Sequence, residues 1–430
     1  SFVYKLPNLE ELNEKREEEQ EKAKEDLSNV MDKAAKFKED LEKLRKESMN
    51  SNRSNWNQEN QVNQLQEDHK SLIEDIQNLQ EEMKNSMEEK NQLSEMDEEL
   101  MEKQEAIEDL LEELMDDELR DLLDQLEELM KEQNKEMLDD NMEQLEMSTE
   151  DMNKQLDRTM EMLKKMQVDE KIDAIEEQLK ELAEEQEKLA EETKDSKKVT
   201  EEQKQAQKEI DEKFEKIKED IKEMDSLNND LARPMDMGDQ EQNAEEVQED
   251  LNDAEQNLNK GKAGKAGESQ QGASDKMEQM AEQMDMMQQQ SNQQQQEEDM
   301  TMLRNILESL VSLSFDQEET MFNLERVADT DPAFKTHSRR QRRIIDDTKI
   351  VADSLYELAK RQPKIAKFID DELNQIKSNH GLSLEDIDER RRRDLTIHQQ
   401  YVMTSYNNLA LMLNESLQQM QSAMRNQMPG

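Results

Sequence analysis

The chain has 430 residues, and 110 acidic side chains against 58 basic ones give it a formal net charge of −52. Only 32% of its residues are hydrophobic and 39% are charged, which excludes a large apolar core of the ordinary globular kind. The absence of cysteine excludes disulfides and thiolate metal sites, and the small numbers of Gly (7) and Pro (5) favour long helices over disorder.

The N-terminal half carries apolar seams in which the spacing alternates between three and four residues. The seams comprise Leu27, Val30, Ala34, Phe37, Leu41 and Leu44; Val62, Leu65, His69, Leu72, Ile76, Leu79 and Met83; Ile172, Ile175, Leu179, Leu182, Gln186 and Leu189; and Ile210, Phe214, Ile217, Ile221, Met224 and Leu231. This spacing places one narrow apolar stripe along each helix, as coiled coils and helical hairpins require. We therefore predict that residues 1–232 form an acidic coiled-coil or helical-hairpin rod.

Several positions predict the ends of the rod helices. Residues 49–57 are rich in Asn and Ser and predict a turn between two long helices. Thr200 with Gln203 matches a capping box, so a helix is expected to begin there. Further candidate breaks are Ser148 with Asp151 and Val168 with Asp169.

A flexible linker is predicted for residues 233–297. Arg233–Pro234 is expected to end the last rod helix. Residues 261–267 have the glycine-rich composition of flexible chain, and residues 288–296 form a Gln-rich tract of low complexity. Between these two segments the methionine spacing predicts one short Met-striped helix.

The charge balance changes after about residue 298. Residues 301–430 contain 18 basic and 20 acidic side chains, a net charge of −2, so −50 of the total belongs to the first 300 residues. Asp331–Pro332 is expected to cap a helix, and Ser383 with Asp386 to open a short one. Apolar residues at helical spacing mark the others: Leu303, Leu307, Leu310, Leu313 and Met321; Ile344, Val351, Leu355 and Leu358; and Val402, Tyr406, Leu409, Leu413, Leu417 and Met420. We predict a compact helical bundle over residues 298–430, so the chain as a whole is all-α, a rod followed by a smaller bundle.

The sequence offers no catalytic constellation. Carboxylates are so abundant that pairs occur at any spacing, and a catalytic acid needs burial to shift its pKa. A di-metal site in a helical bundle uses Glu-x-x-His, but the residues three positions before the four histidines are Gln66, Phe334, Lys377 and Leu395. No phosphate-binding glycine loop is present either. We predict that the chain is not an enzyme and needs no cofactor.

Methionine is unusually frequent, with 31 residues. Met277, Met280, Met284 and Met287 lie on one helical stripe and could offer soft thioether ligands to Cu(I). The same spacing of three, four and three suits an adaptable apolar seam, because methionine is unbranched and polarizable. The seam interpretation is favoured over copper binding.

Two arginine clusters and two tyrosines are the candidate partner-binding positions. They are Arg339, Arg340, Arg342, Arg343, Arg390, Arg391, Arg392, Arg393, Tyr401 and Tyr406. The arginines could bind an anionic partner, or they could neutralise neighbouring acidic helices, and the second interpretation is favoured. Nucleic acid is not expected as a partner, because a net charge of −52 repels it and no aromatic residues interleave the arginines.

The C-terminal part resembles a known family in residues 302–311, 313–318, 353–359 and 402–413. These segments are similar to large envelope proteins of Bacteroidota that carry an uncharacterised domain of unknown function. In that family two N-terminal transmembrane helices and sandwich-like domains precede a long Glu/Met-rich helical region. The resemblance implies that this chain is a segment of such a protein on the periplasmic side of the inner membrane, anchored through a membrane segment that the chain lacks. It supplies no catalytic residue, and the strand-like residues 1–7 suit the exit from a β domain.

Two functions follow from these observations. The first is a non-enzymatic structural or interaction protein, in which long seams associate with other proteins or with another copy and so tether or scaffold partners. The alternative is a chaperone-like binding module that holds apolar client segments in Met-lined helical grooves.

Overall fold

The structure, a computed structural model, describes residues 9–50, 56–93, 98–115, 118–132, 135–196, 198–328 and 330–427. Within these ranges the chain forms α-helices and no β-strand, which confirms the all-α prediction. The helices are α1 (Leu9–Asn50), α2 (Trp56–Leu93), α3 (Glu98–Glu113), α4 (Glu118–Glu132), α5 (Lys135–Asp195), α6 (Glu201–Asn229), α7 (Gln240–Asn259), α8 (Ala263–Arg326), α9 (Pro332–Ala359), α10 (Pro363–Glu389) and α11 (Arg392–Gln427). Residues 1–7 and most of the turn predicted at 49–57 lie outside the described residues.

The chain divides into two compact units, each built from segments that are not consecutive. Unit 1 comprises the described residues of 1–24, 95–104 and 163–294, and unit 2 those of 25–94, 105–162 and 295–430. The predicted rod contributes to both units, and the predicted boundary between linker and bundle falls inside α8. This division differs from the predicted order of rod, linker and bundle, because the helices of each unit are drawn from distant parts of the sequence. The extended rod itself stays a prediction.

The predicted seams form the cores of the helices that carry them. The first two seams are buried in α1 and α2, where the rings of Phe37 and His69 lie 6.3 Å apart in unit 2. The third and fourth are buried in α5 and α6 and belong to the main apolar core of unit 1. The prediction of one narrow buried stripe along each of these helices is confirmed.

Two predicted helix starts are also confirmed by their hydrogen bonds. At the start of α6, Thr200 Oγ1 accepts a hydrogen bond from the Gln203 backbone N–H at 3.2 Å. The Gln203 side chain accepts one from the Thr200 N–H at 3.0 Å, which completes the capping box. At the start of α9, Asp331 accepts from the Ala333 N–H at 2.8 Å, with Pro332 in the first turn.

The breaks predicted at Ser148 and Val168 are wrong, because α5 continues through both positions. Val168 is buried in the core of unit 1. Asp169 is also buried, and Lys103 Nζ of α3 lies 2.7 Å from its carboxylate. A side chain that suggested a local cap therefore bonds to a neighbouring helix instead.

The short helix predicted to begin at Ser383 is likewise absent, because α10 runs through this position without interruption. Ser383 Oγ donates to the Asn379 carbonyl oxygen one turn earlier, at 2.7 Å, as a serine inside a helix does. Asp386 is buried and contacts Arg391 and His398 rather than capping a new helix.

The segment predicted as a flexible linker is largely helical, because α7 and the first half of α8 occupy it. A Cβ on Gly267 would lie 2.5 Å from Lys194 Cγ and 3.1 Å from the Ala190 carbonyl oxygen of α5. This glycine therefore permits close helix contact instead of providing flexibility. Gly261, by contrast, has φ +68° just after α7, where a helix commonly ends in the left-handed region.

Candidate interaction surface

The methionine stripe lies in the apolar core of unit 1. Met277, Met280 and Met284 are almost fully buried, and Met287 is partly buried against the same core. Their neighbours there are aliphatic and aromatic side chains such as Phe214. This buried apolar environment agrees with the interpretation of the methionines as an apolar helix seam. These four side chains are part of the core and do not line an exposed groove for a client segment.

The first arginine cluster lies on α9 and is partly neutralised within unit 2. Arg340 Nη2 lies 2.6 Å from the Asp316 carboxylate of α8. Arg342 Nη2 lies 3.4 Å from the carboxylate of Asp388 on α10. The remaining cluster residues, Arg339 and Arg343, are exposed.

The second arginine cluster forms the corner between α10 and α11. Arg390 has φ +63° at the C-terminus of α10, and its guanidinium lies 4.2 Å from the centre of the Phe334 ring. Arg391 Nε lies 2.8 Å from the buried carboxylate of Asp386, and Arg392 donates to the Val327 carbonyl oxygen. Arg393 is exposed. Most of this cluster therefore holds a helix corner together.

The two candidate tyrosines have opposite positions on α11. Tyr401 is 57% exposed, whereas Tyr406 is fully buried and is a core residue of unit 2. The Tyr406 hydroxyl is hydrogen-bonded to Thr348 Oγ1 of α9 and lies 2.9 Å from His380 Nε2 of α10. Of the two, only Tyr401 is accessible to a partner.

Burial shifts the titration of this polar pair in a way that keeps both groups neutral. It lowers the pKa of His380 to about 4, and it raises the pKa of the Tyr406 hydroxyl above its usual range. The same buried layer holds Gln317, Gln341 and Gln399, with Gln399 Nε2 donating to Gln341 Oε1 at 2.7 Å. Such a network fixes the register of packed helices, since each polar group has to find its own partner.

Two hydrogen bonds link the α8 region to α11 and show that the two helices run antiparallel in unit 2. Ser314 Oγ of α8 donates to Asn407 Oδ1 of α11 at 3.1 Å. Further along, Arg392 at the start of α11 donates to the carbonyl oxygen of Val327, just after α8. These two contacts place Val311 near the level of Leu411 and Phe322 near the level of Ile397.

The surface of this helix pair exposes large apolar side chains, and we name it the α8/α11 face. Its apolar members are Val311, Phe315 and Phe322 of α8, and Ile397, Tyr401 and Leu411 of α11. Phe315 is 67% exposed and Leu411 is 69% exposed. On each helix the three positions fall on one side of the cylinder at 100° per residue, so they form two parallel stripes.

Charge is distributed unevenly over the α8/α11 face: the α11 side is uncharged between Ile397 and Leu411, whereas on the α8 side the Arg326 guanidinium lies 5.7 Å from the centre of the Phe322 ring. Residues 395–414 of α11 contain no Asp, Glu, Lys or Arg, and neither do residues 309–315 of α8. On α8, exposed Glu308 precedes Val311 by about one turn, and exposed Glu319 lies between Phe315 and Phe322. With about 100 Å² from each of its six large side chains, the face exposes roughly 600 Å², the upper end for a monomer's largest apolar patch.

Sequence reasoning identified only Tyr401 of this face. Two signals in the sequence mark it: the uncharged run 395–414, and apolar residues that fall outside the buried seam of α8. Phe315 and Phe322 are seven residues apart, as seam residues are, but the seam of this helix is the one that contains Leu303, Leu310 and Leu324.

Neither a metal site nor a membrane span is found in the part of the chain that the structure describes. No group of three or more His, Cys, Asp or Glu side chains in that part could hold a metal ion. None of its helices is both long and apolar enough to cross a bilayer.

The comparisons with known proteins leave the function to be argued from the structure alone. No protein-family model matches the chain, and no curated protein or solved structure matches it.

Proposed function

We propose that the chain is a non-enzymatic interaction protein, a scaffold whose α8/α11 face binds a protein partner. The observation that carries the proposal is the exposure of Tyr401 and Leu411 on the uncharged run 395–414 of α11, together with exposed Phe315 of α8. Keeping large apolar side chains in water is unfavourable, and an exposed apolar patch of this size commonly marks a protein interface.

The non-enzymatic part of the proposal is supported by the position of two strongly perturbed titratable groups. His380 and Tyr406 are buried, bonded to each other and held neutral, as expected for a pair that orders a core. Strongly shifted groups at a catalytic site face a cleft instead. Burial raises the pKa of Asp211 on α6 to about 6, and its carboxylate accepts a hydrogen bond from the neighbouring Gln207 amide.

Site-specific photo-crosslinking in the native cell tests the proposal. Tyr401 is replaced by p-benzoylphenylalanine, an aromatic residue of similar shape that forms covalent adducts with whatever it touches. The matched control carries the same residue at Ile350 of α9, which is 66% exposed but lies next to charged Lys349 and near Asp346. We expect a discrete adduct from position 401 and none from position 350.

A second substitution separates a specific interface from a reactive surface. Phe315→Glu places a carboxylate at the centre of the α8 stripe, so it should abolish the adduct formed at position 401. An adduct that survives Phe315→Glu, or equal labelling from positions 401 and 350, would contradict the proposal.

The scaffold role includes a spacer and a location, both of which go beyond the face itself. The resemblance to Bacteroidota envelope proteins supports a position on the periplasmic side of the inner membrane, with the acidic rod predicted for residues 1–232 acting as the spacer. Small-angle X-ray scattering tests the spacer, because a maximum dimension on the order of 100 Å or more is expected for helices of this length. A much smaller dimension would remove the spacer from the proposal and leave the interface standing.

A further inference from the structure

We infer that the partner of the α8/α11 face is a second copy of the same chain, bound face to face about a two-fold axis. The inference rests on the proposed function, because it names the occupant of the same surface. The hydrogen-bonding groups, the area and the charge of that face all favour this occupant.

The polar groups of the face are complementary to themselves. Gln400 and Asn414 are exposed along α11 beside the apolar stripe, whereas Oδ1 of exposed Asn407 already accepts from Ser314. A carboxamide carries both a donor and an acceptor, so it can pair with the same residue across a two-fold axis. A face of lysines or glutamates would repel its own copy, whereas a face of amides and apolar side chains does not.

The area is sufficient for a specific dimer. Two copies of the face, each with roughly 600 Å² of large side chains, would bury about 1,200 Å² or more in total. That total clears the approximately 1,000 Å² expected of a specific interface. Phe315 lies in the middle of the α8 stripe and Leu411 at the end of the α11 stripe, and they are the two most exposed members of the face.

The charge of the chain determines where two copies can meet. The net charge is −52, and most of the surface of one copy therefore repels another copy. Residues 301–430 carry only −2 of this charge, and the α8/α11 face lies among them. Residues 395–414 of α11 offer a basic partner no carboxylate, so this side of the face favours another neutral surface.

The salt dependence of binding distinguishes a second copy from a basic partner. Added salt shortens the Debye length from roughly 14 Å at 0.05 M to about 4 Å at 0.5 M, which screens the repulsion between two acidic copies. Dimerisation should therefore become tighter, about tenfold over this range. Binding of a basic partner would become weaker over the same range.

The experiment is analytical ultracentrifugation of the purified full chain over a concentration series at both salt concentrations. We expect a monomer–dimer equilibrium in the wild type and a dissociation constant at least about 100-fold larger in Leu411→Glu. Because the substitution occurs in both copies, each dimer loses two buried leucines and gains two carboxylates. The control, Ile350→Glu, should leave the dissociation constant unchanged. Far-UV circular dichroism verifies that both variants retain the helical fold.

Two results would overturn the inference. One is a monomer at both salt concentrations up to about 100 µM, the weak end for a specific contact. The other is a dimer whose dissociation constant Leu411→Glu leaves unaltered. If the chain is monomeric while position 401 forms an adduct with a different protein in the cell, the second copy is excluded and the proposed interaction face remains. If no adduct forms either, both proposals fail.

Discussion

A buried ion pair in unit 2 provides the most direct test of how distant parts of the chain associate. Arg158 of α5 is only 1% exposed, and its guanidinium donates to both carboxylate oxygens of Asp370 on α10, at 2.7 and 3.0 Å. The two residues are 212 positions apart in the sequence. The ring of Tyr356 on α9 lies beside them, 5.4 Å from the guanidinium carbon.

Replacing Arg158 with Met tests this pair, because methionine keeps the volume and removes the charge. The substitution leaves the Asp370 carboxylate, whose side chain is largely buried, without its two charge-assisted hydrogen bonds. Breaking one side of a buried pair costs about 3–5 kcal/mol in the free energy of unfolding. Arg343→Met, the same exchange at an exposed position of α9, should cost less than about 0.5 kcal/mol.

A double-mutant cycle isolates the pair from the packing of each side chain. Asp370→Leu alone should also be costly, because it leaves the Arg158 guanidinium buried without a carboxylate. The double variant with Arg158→Met should be more stable than either single variant, since two apolar side chains then face each other, with a coupling of about 2–3 kcal/mol. Urea denaturation followed by far-UV circular dichroism measures each free energy of unfolding.

Hydrogen–deuterium exchange of residues 148–162 and 363–380 shows where the loss occurs. Faster exchange in both segments is expected of Arg158→Met, because the pair joins the two helices. Single-variant costs that simply add, or an Arg158→Met variant as stable as Arg343→Met, would refute the contact between α5 and α10.

Three further predictions concern a buried histidine, a helix cap and the methionine seam. The pKa of His380 is about 4 in the folded chain and near 6.5 in the unfolded chain, so protonation favours unfolding. The free energy of unfolding should therefore fall by up to roughly 3 kcal/mol as the pH drops from 6.5 to 4. In His380→Phe, the urea midpoint should decline less steeply over this pH range. Thr200→Ala removes the capping hydrogen bond of α6 and should lower the free energy of unfolding by about 1 kcal/mol. In the same denaturation assay, Thr301→Ala at an exposed helical position should lower it by less than about 0.5 kcal/mol. Met280→Ala should cost about 2–4 kcal/mol because it opens a cavity in the core of unit 1, whereas Met280→Leu should cost less than about 1.5; equal costs would show that the side chain is not core.

The helices and their buried stripes could be predicted from the sequence because both are local properties. A spacing of three and four fixes which side of a helix is apolar, and that side is buried whichever helix it meets. Even His69 and Gln186, polar residues in seam positions, are buried as the pattern requires. The capping residues Thr200 and Asp331 are equally local, since their bonds reach only two or three residues along the chain.

The pairing of helices could not be predicted, because an apolar stripe does not specify its partner. The proximity of Arg158 to Asp370 leaves no trace in a sequence with 58 basic and 110 acidic residues, where almost any pairing of charges is available. The glycine-rich composition of the predicted linker indicated flexible chain, where the structure has helices, for a similar reason. Glycine is frequent in flexible chain and also where two helices approach closely, and only the position of Gly267 against Ala190 distinguishes the two.

The charge of the chain and its neutral face are best understood together. Because copies with a net charge of −52 repel one another, apolar side chains exposed elsewhere among charged residues, such as Ile350, are protected from adventitious contact. Residues 395–414 carry no such charges over a length of five helical turns or more, and Tyr401 and Leu411 are exposed within this run. A surface that only needed to stay soluble would gain from a lysine or glutamate at position 411. A single Leu411→Glu exchange is compatible with the helix and would restore the repulsion, so the fold does not require this leucine, whereas the inferred contact with a second copy would.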